Sequence, residues 1–155
     1  MSDIAALLGP DAVRARMPAG SKKMLFAGLA GLAAGLVNGD AAEILDCLNA
    51  RERSGATGYG GGVAIPHCRH AGLDRVRGAF VRLAEPVDYG AVDGVAVDLV
   101  FLLLSPTTTG PDHLKALAAV SRLLRDPGTA SKLRGARSSD ALYALLTGDE
   151  ARDAA

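Results

Sequence analysis

Apolar positions along this chain fall into two regimes. In one they recur at helical spacing: Leu114, Leu117, Ala118, Ser121 and Leu124 form a stripe that Val120 and Leu123 widen. In the other they run on with hardly a polar break. Val97-Asp98-Leu99-Val100-Phe101-Leu102-Leu103-Leu104, within Ala96 to Ser105, predicts a strand in the middle of a sheet, covered on both faces. Arg75 to Glu85 predicts a second strand, and Val63-Ala64-Ile65 a short one leading into Pro66-His67.

Start and stop signals divide the rest. Ser2 is a cap for a short helix that ends near Gly9, with Pro10 as its stop. Ser21 before Lys22 and Lys23 opens a second helix, closed by Asn38-Gly39. Asp40 with Glu43 three residues later is a capping-box pattern for a helix to about Arg53. These two helices follow one another so closely that they predict an αα-hairpin. Beyond Thr107-Thr108-Thr109-Gly110, Pro111 suits the first turn of the long striped helix. Asp126-Pro127 starts a short helix that Gly135 closes, and Ser138 or Ser139 caps a last one, Asp140 to Leu146, before Gly148. The expected architecture is one α/β domain over residues 1–148, a small mixed β-sheet flanked by helices on both faces, with residues 149–155 a disordered tail.

Composition narrows the function classes. The chain is 49% apolar and 22% charged, ordinary globular usage, and without Trp its core must come from Leu, Val, Ile and Ala. Lys plus Arg equals Asp plus Glu at 17 each, so the basic excess and stacking aromatics of a nucleic-acid binder are absent. The apolar run Met24 to Val37 is about 14 residues, where a membrane span needs ~20, and its Gly28, Gly31 and Gly35 suit a closely packed buried helix. No membrane insertion is expected. Two cysteines, Cys47 and Cys68, are too few for a disulfide framework, and Met1 to Pro10 lacks a secretory pattern. The expected location is therefore the reducing cytoplasm.

The chemistry concentrates in Arg51-Glu52-Arg53-Ser54-Gly55-Ala56-Thr57-Gly58-Tyr59-Gly60-Gly61-Gly62-Val63-Ala64-Ile65-Pro66-His67-Cys68. Clustered glycines allow backbone N–H groups to converge into an anion-binding concavity, and Thr57 adds a hydroxyl donor. One ring nitrogen of His67 can be held by a hydrogen bond while the other faces outward as a nucleophile. A P-loop fails because Val63, not Lys, follows Gly62; a Rossmann fingerprint fails because its third glycine is missing and the loop precedes a strand. His67-Cys68-x-His70 has no second ligand pair elsewhere, so no metal is expected. On spacing alone, a histidine that merely satisfies hydrogen bonds at a strand end competes evenly with a nucleophile.

The full string separates the two. Glu52, then Gly60-x-x-Val63-Ala64-Ile65-Pro66-His67-Cys68, resembles the phosphorylation-site motif of the fructose/mannitol and nitrogen-regulatory class of phosphotransferase IIA domains. The likeness extends to Ser21-Lys22-Lys23, Asp98 to Leu103, His113-Leu114 with Leu123, and Ser138 to Leu146. It is greatest for the free-standing nitrogen-regulatory type. Tyr59, Gly61 and Cys68 depart from the residues usual in that type.

The resemblance implies the IIA type 2 fold and a phosphocarrier that takes a phosphoryl group onto His67 from an HPr-like donor. It implies that Arg51 contacts phosphate and that His113 orients His67 or contacts a phosphate oxygen. Thr57 and the amides of Gly58 and Gly60 are candidates for the remaining oxygens. No cofactor is expected, because the phosphoryl group arrives on an activated nitrogen. The downstream partner would be a regulatory target or, in sugar uptake, a separate IIB domain. A protein-interaction module whose histidine is no longer phosphorylated is the third alternative.

Overall fold

The computed structural model describes residues 3–108 and 110–148. Ser2, Thr109 and the expected tail over 149–155 lie outside the described residues. Helix α1 (Asp3–Leu7) and a 3₁₀ turn at Pro10–Ala12 lead into strand β1 (Val13–Met17). The hairpin follows as α2 (Lys22–Val37) and α3 (Ala41–Arg53), then the short strands β2 (Gly58–Gly60), β3 (Val63–Ala64) and β4 (His67–Arg69). Two long strands, β5 (Arg77–Val87) and β6 (Val97–Ser105), precede α4 (Pro111–Arg125), α5 (Pro127–Gly135) and α6 (Ser139–Thr147).

Local chemistry sets most of these boundaries. The Ser21 hydroxyl accepts from the Met24 amide at 3.1 Å, and Asn38 ends α2 in the left-handed conformation, φ 55°. Asp40 caps α3 by accepting from the Ala42 amide at 2.8 Å. Asp126 and Ser138 cap α5 and α6 in the same way, accepting from Thr129 and Ala141. Gly148 ends α6 with φ 83°.

The six-stranded sheet runs β1-β5-β6-β3-β2, with β4 also beside β6. It is mixed: β6 is antiparallel to β5 but parallel to β3 and β4, and β1 is parallel to β5. β6 is central, as its apolar run predicts. Its odd residues end on Ser105, which meets α4, and its even residues Leu102 and Leu104 line a 260 Å³ cavity with Ala33 and Leu36 of α2. Helices thus cover both faces.

Three departures from the sequence reading have physical causes. β1 was not foreseen. Val13-Arg14-Ala15-Arg16-Met17 does alternate, but two arginines in so short a run mask the signal, and such charges suit an edge strand. β5 begins and ends two residues later than expected and runs through Pro86. The β5–β6 register shifts between Arg82 and Val87, so the missing proline N–H falls where the ladder is already interrupted. Finally, Cys47 of α3 and Cys68 of β4 form a disulfide across 21 residues of sequence, Cα atoms 5.9 Å apart. Counting cysteines could not show that the fold brings this pair together.

Candidate functional site

β3 and β4 keep one register along β6, Val63 opposite Leu99 and His67 opposite Leu103. They are one strand interrupted at Ile65-Pro66. Proline has no N–H for the ladder, although its carbonyl still accepts from the Leu103 amide at 3.0 Å. The interruption frees the Ile65 carbonyl, which meets His67 Nδ1 at 2.7 Å. A carbonyl oxygen can only accept, so Nδ1 carries the proton and the lone pair sits on Nε2. His67 is buried, at 5% exposure. Burial holds its pKa below the usual histidine value, and the Arg51 charge adds to this. The Ile65 carbonyl and the Glu52 carboxylate oppose it without reversing it. His67 is therefore a neutral imidazole at neutral pH.

His113 comes from the first turn of α4, opposite β6. Its ring centroid lies 5.5 Å from that of His67, with the planes tilted by 50°. Its Nδ1 is 2.6 Å from the hydroxyl of Ser105, itself fully buried at the end of β6. Burial first, then His67, Arg69 and Arg51, hold the His113 pKa below the usual value. Arg51, in the last turn of α3, donates to the Gly55 carbonyl at 2.9 Å, and its charge bears on both imidazoles. The structure thus gathers Arg51, His67 and His113 into one site from three separate parts of the chain.

The glycine loop has internal partners of its own. Gly61 and Gly62, at φ 66° and 81°, form a two-residue turn between β2 and β3 that glycine adopts without a Cβ penalty. The Gly61 amide donates to the Asp93 carboxylate at 2.9 Å, and a Cβ on Gly60 would lie 3.2 Å from the same oxygen. Asp93 thus braces the turn through Gly61. Gly58 is buried against Tyr89 and Ala91. Thr57, 1% exposed, has its hydroxyl 2.7 Å from both Glu52 Oε2 and the Tyr89 hydroxyl. Its one proton goes to the carboxylate, which leaves none for a phosphate oxygen. Thr57 and Gly58 thus help to shape the site.

The sequence reading also missed contributors. Glu52 was noted only as part of the motif, yet its Oε1 accepts from Lys22 Nζ at 2.9 Å and from the Thr57 amide at 2.9 Å. Lys22 stands 4.2 Å from the centre of the Tyr89 ring, a cation–π contact that closes the circuit Lys22–Glu52–Thr57–Tyr89. Ser105 did leave a signal: it is the polar residue that ends an apolar strand. Tyr89 left none. Among the described residues there is no cluster of three or more His, Cys, Asp or Glu side chains that could hold a metal ion, and no helix long and apolar enough to cross a membrane.

Comparison with known proteins places nearly the whole chain in one family. The profile of the family described as "Phosphoenolpyruvate-dependent sugar phosphotransferase system, EIIA 2" matches residues 6–148. A nitrogen regulatory protein of Bradyrhizobium diazoefficiens is 44% identical over 143 residues, covering 92% of this chain and 94% of that one. One from Pseudomonas aeruginosa is 39% identical over 141 residues, covering 90% and 92%. The crystal structure of nitrogen regulatory protein IIA-Ntr from Neisseria meningitidis superposes with a TM-score of 0.88 at 37% identity, covering 94% of this chain and 99% of the other.

Proposed function

Because this chain belongs to the EIIA type 2 family of the phosphoenolpyruvate-dependent phosphotransferase system, we propose that it is a phosphocarrier whose acceptor atom is Nε2 of His67. The observation that carries the reading is the 2.7 Å hydrogen bond from His67 Nδ1 to the Ile65 carbonyl. It fixes the tautomer with Nε2 unprotonated, and the depressed pKa keeps it so at neutral pH.

The donor is an HPr-like phosphohistidine. Its N–P bond breaks as a bond forms between phosphorus and His67 Nε2, and the donor imidazole leaves with the electron pair. The proton stays on His67 Nδ1 throughout, hydrogen-bonded to the Ile65 carbonyl, so no general base is required. The phosphoryl transition state is loose, and positioning and charge stabilisation carry the catalysis. Arg51 supplies a guanidinium fork for the phosphoryl oxygens. His113, oriented by Ser105, supplies a ring N–H from Nε2 when the Ser105 hydroxyl donates to Nδ1.

The similarity to nitrogen regulatory proteins supports a regulatory role in the cytoplasm. The charge added at His67 would switch docking to a target protein. The test is to incubate the protein with phosphoenolpyruvate, enzyme I and an HPr-type carrier, and to read intact mass beside His67→Ala. One phosphate on the wild type alone is expected. Stoichiometric, acid-labile phosphate on His67→Ala would overturn the assignment.

A further inference from the structure

The Glu52 network is joined to the acceptor histidine by main-chain hydrogen bonds. Glu52 Oε1 holds the Thr57 amide at 2.9 Å, and Glu52 Oε2 holds the Thr57 hydroxyl at 2.7 Å. The Thr57 carbonyl in turn accepts from the Ile65 amide at 2.9 Å. The Ile65 carbonyl then meets His67 Nδ1. A single carboxylate thus grips Thr57 at two points, and Thr57 fixes the residue whose carbonyl selects the protonated nitrogen of His67. We propose that Glu52 is a positioning residue for phosphoryl transfer, setting the tautomer of His67 through Thr57 and Ile65.

Pro66 returns to β6 through its carbonyl, but Ile65 pairs with no residue of that strand. The Ile65 amide bonds to Thr57 and not to β6. Without the Thr57 contact, the Ile65 carbonyl would keep only the Pro66–Leu103 bond beyond it as a restraint and could turn away from Nδ1. Glu52 itself is held as a carboxylate: Lys22 and the two Thr57 donors lower its pKa against the cost of burial. Lys22 is pinned between that carboxylate and the Tyr89 ring. The device is therefore braced on α2, on α3 and on the chain leaving β5.

The inference rests on His67 as the acceptor, but its first measurement does not need phosphate. Nitrogen-15 NMR of the unphosphorylated protein reports the His67 tautomer directly. A single Nδ1–H form is expected for the wild type, and a mixture of tautomers for Glu52→Gln, which presents an NH₂ donor in place of one of the two oxygens that grip Thr57. Glu52→Gln should also slow phosphate uptake by about tenfold or more while the final stoichiometry stays at one. Thr57→Val should behave like Glu52→Gln, and Thr57→Ser, which restores the hydroxyl, should recover both tautomer and rate. This pair also serves if Glu52→Gln does not fold. A folded Glu52→Gln or Thr57→Val with wild-type tautomer would overturn the proposal, whatever its rate. A phosphorylation failure shared by the wild type, with tautomers shifting as expected, would instead count against the acceptor assignment.

Discussion

The imidazoles of His67 and His113 stand 5.5 Å apart, each with Nδ1 held by a group on or beside the central strand: the Ile65 carbonyl for one, the Ser105 hydroxyl for the other. Both rings therefore face each other through fixed edges. A strand that breaks at a proline delivers the first, and a helix N-terminus delivers the second. Their different partners predict different consequences when each is removed.

His113→Ala should slow transfer without abolishing it. Losing one oriented donor to a developing charge typically costs about 10²–10³ in rate. Time-resolved intact mass would show slow uptake that still reaches one phosphate. Ser105→Ala should fall between this variant and the wild type, because it frees the ring to rotate but leaves it present. Equal rates for all three would remove His113 from the reaction.

Arg51 should be visible in the titration of His67. Its charge helps to hold the His67 pKa down, so Arg51→Ala should raise that pKa toward the ordinary histidine value while slowing transfer. NMR titration of the His67 ring reads the first effect and intact mass the second. An unchanged pKa would place Arg51 too far from His67 for the role given to it.

Acid should weaken the fold through the same histidines. Both have folded pKa values below the usual one, so in mildly acidic solution the unfolded chain binds more protons than the folded one. Their contribution to stability is full above the unfolded histidine pKa. It is lost as pH falls from there toward the folded values. Comparing urea midpoints at neutral and mildly acidic pH, beside His67→Gln, would show a smaller acid loss in the variant.

The Cys47–Cys68 bond should make stability depend on reductant. Closing a loop of 21 residues restricts the unfolded chain by about 3 kcal/mol in the chain-entropy picture. Urea unfolding with and without dithiothreitol should therefore separate for the wild type and coincide for Cys47→Ser. Coincident curves for the wild type would mean that the cysteines are unbonded in solution.

Gly58→Ala tests whether the glycine loop packs or binds. A Cβ there would come within 2.8 Å of Ala91 Cβ and 3.0 Å of the Tyr89 ring. Such overpacking costs about 1–3 kcal/mol. Thermal denaturation should register it even though no anion is present. A variant of unchanged stability with weakened phosphate uptake would restore Gly58 to the binding role that the sequence suggested.

What the sequence determined was whatever depends on neighbours along the chain. Ser21, Asp40, Asp126 and Ser138 cap helices three or fewer residues away, and the nearly continuous apolar run in β6 predicts a strand covered on both faces. The motif ending in Ile65-Pro66-His67 likewise singled out the histidine. Tertiary structure decided the rest, because those outcomes depend on which distant groups compete for the same donors. Asp93 takes the Gly61 amide from 32 residues away and braces the turn. Tyr89 reaches Thr57 across the same interval. With Glu52 it ties the Thr57 hydroxyl into the frame. A buried hydroxyl has one proton to give, and only the folded chain settles which acceptor receives it.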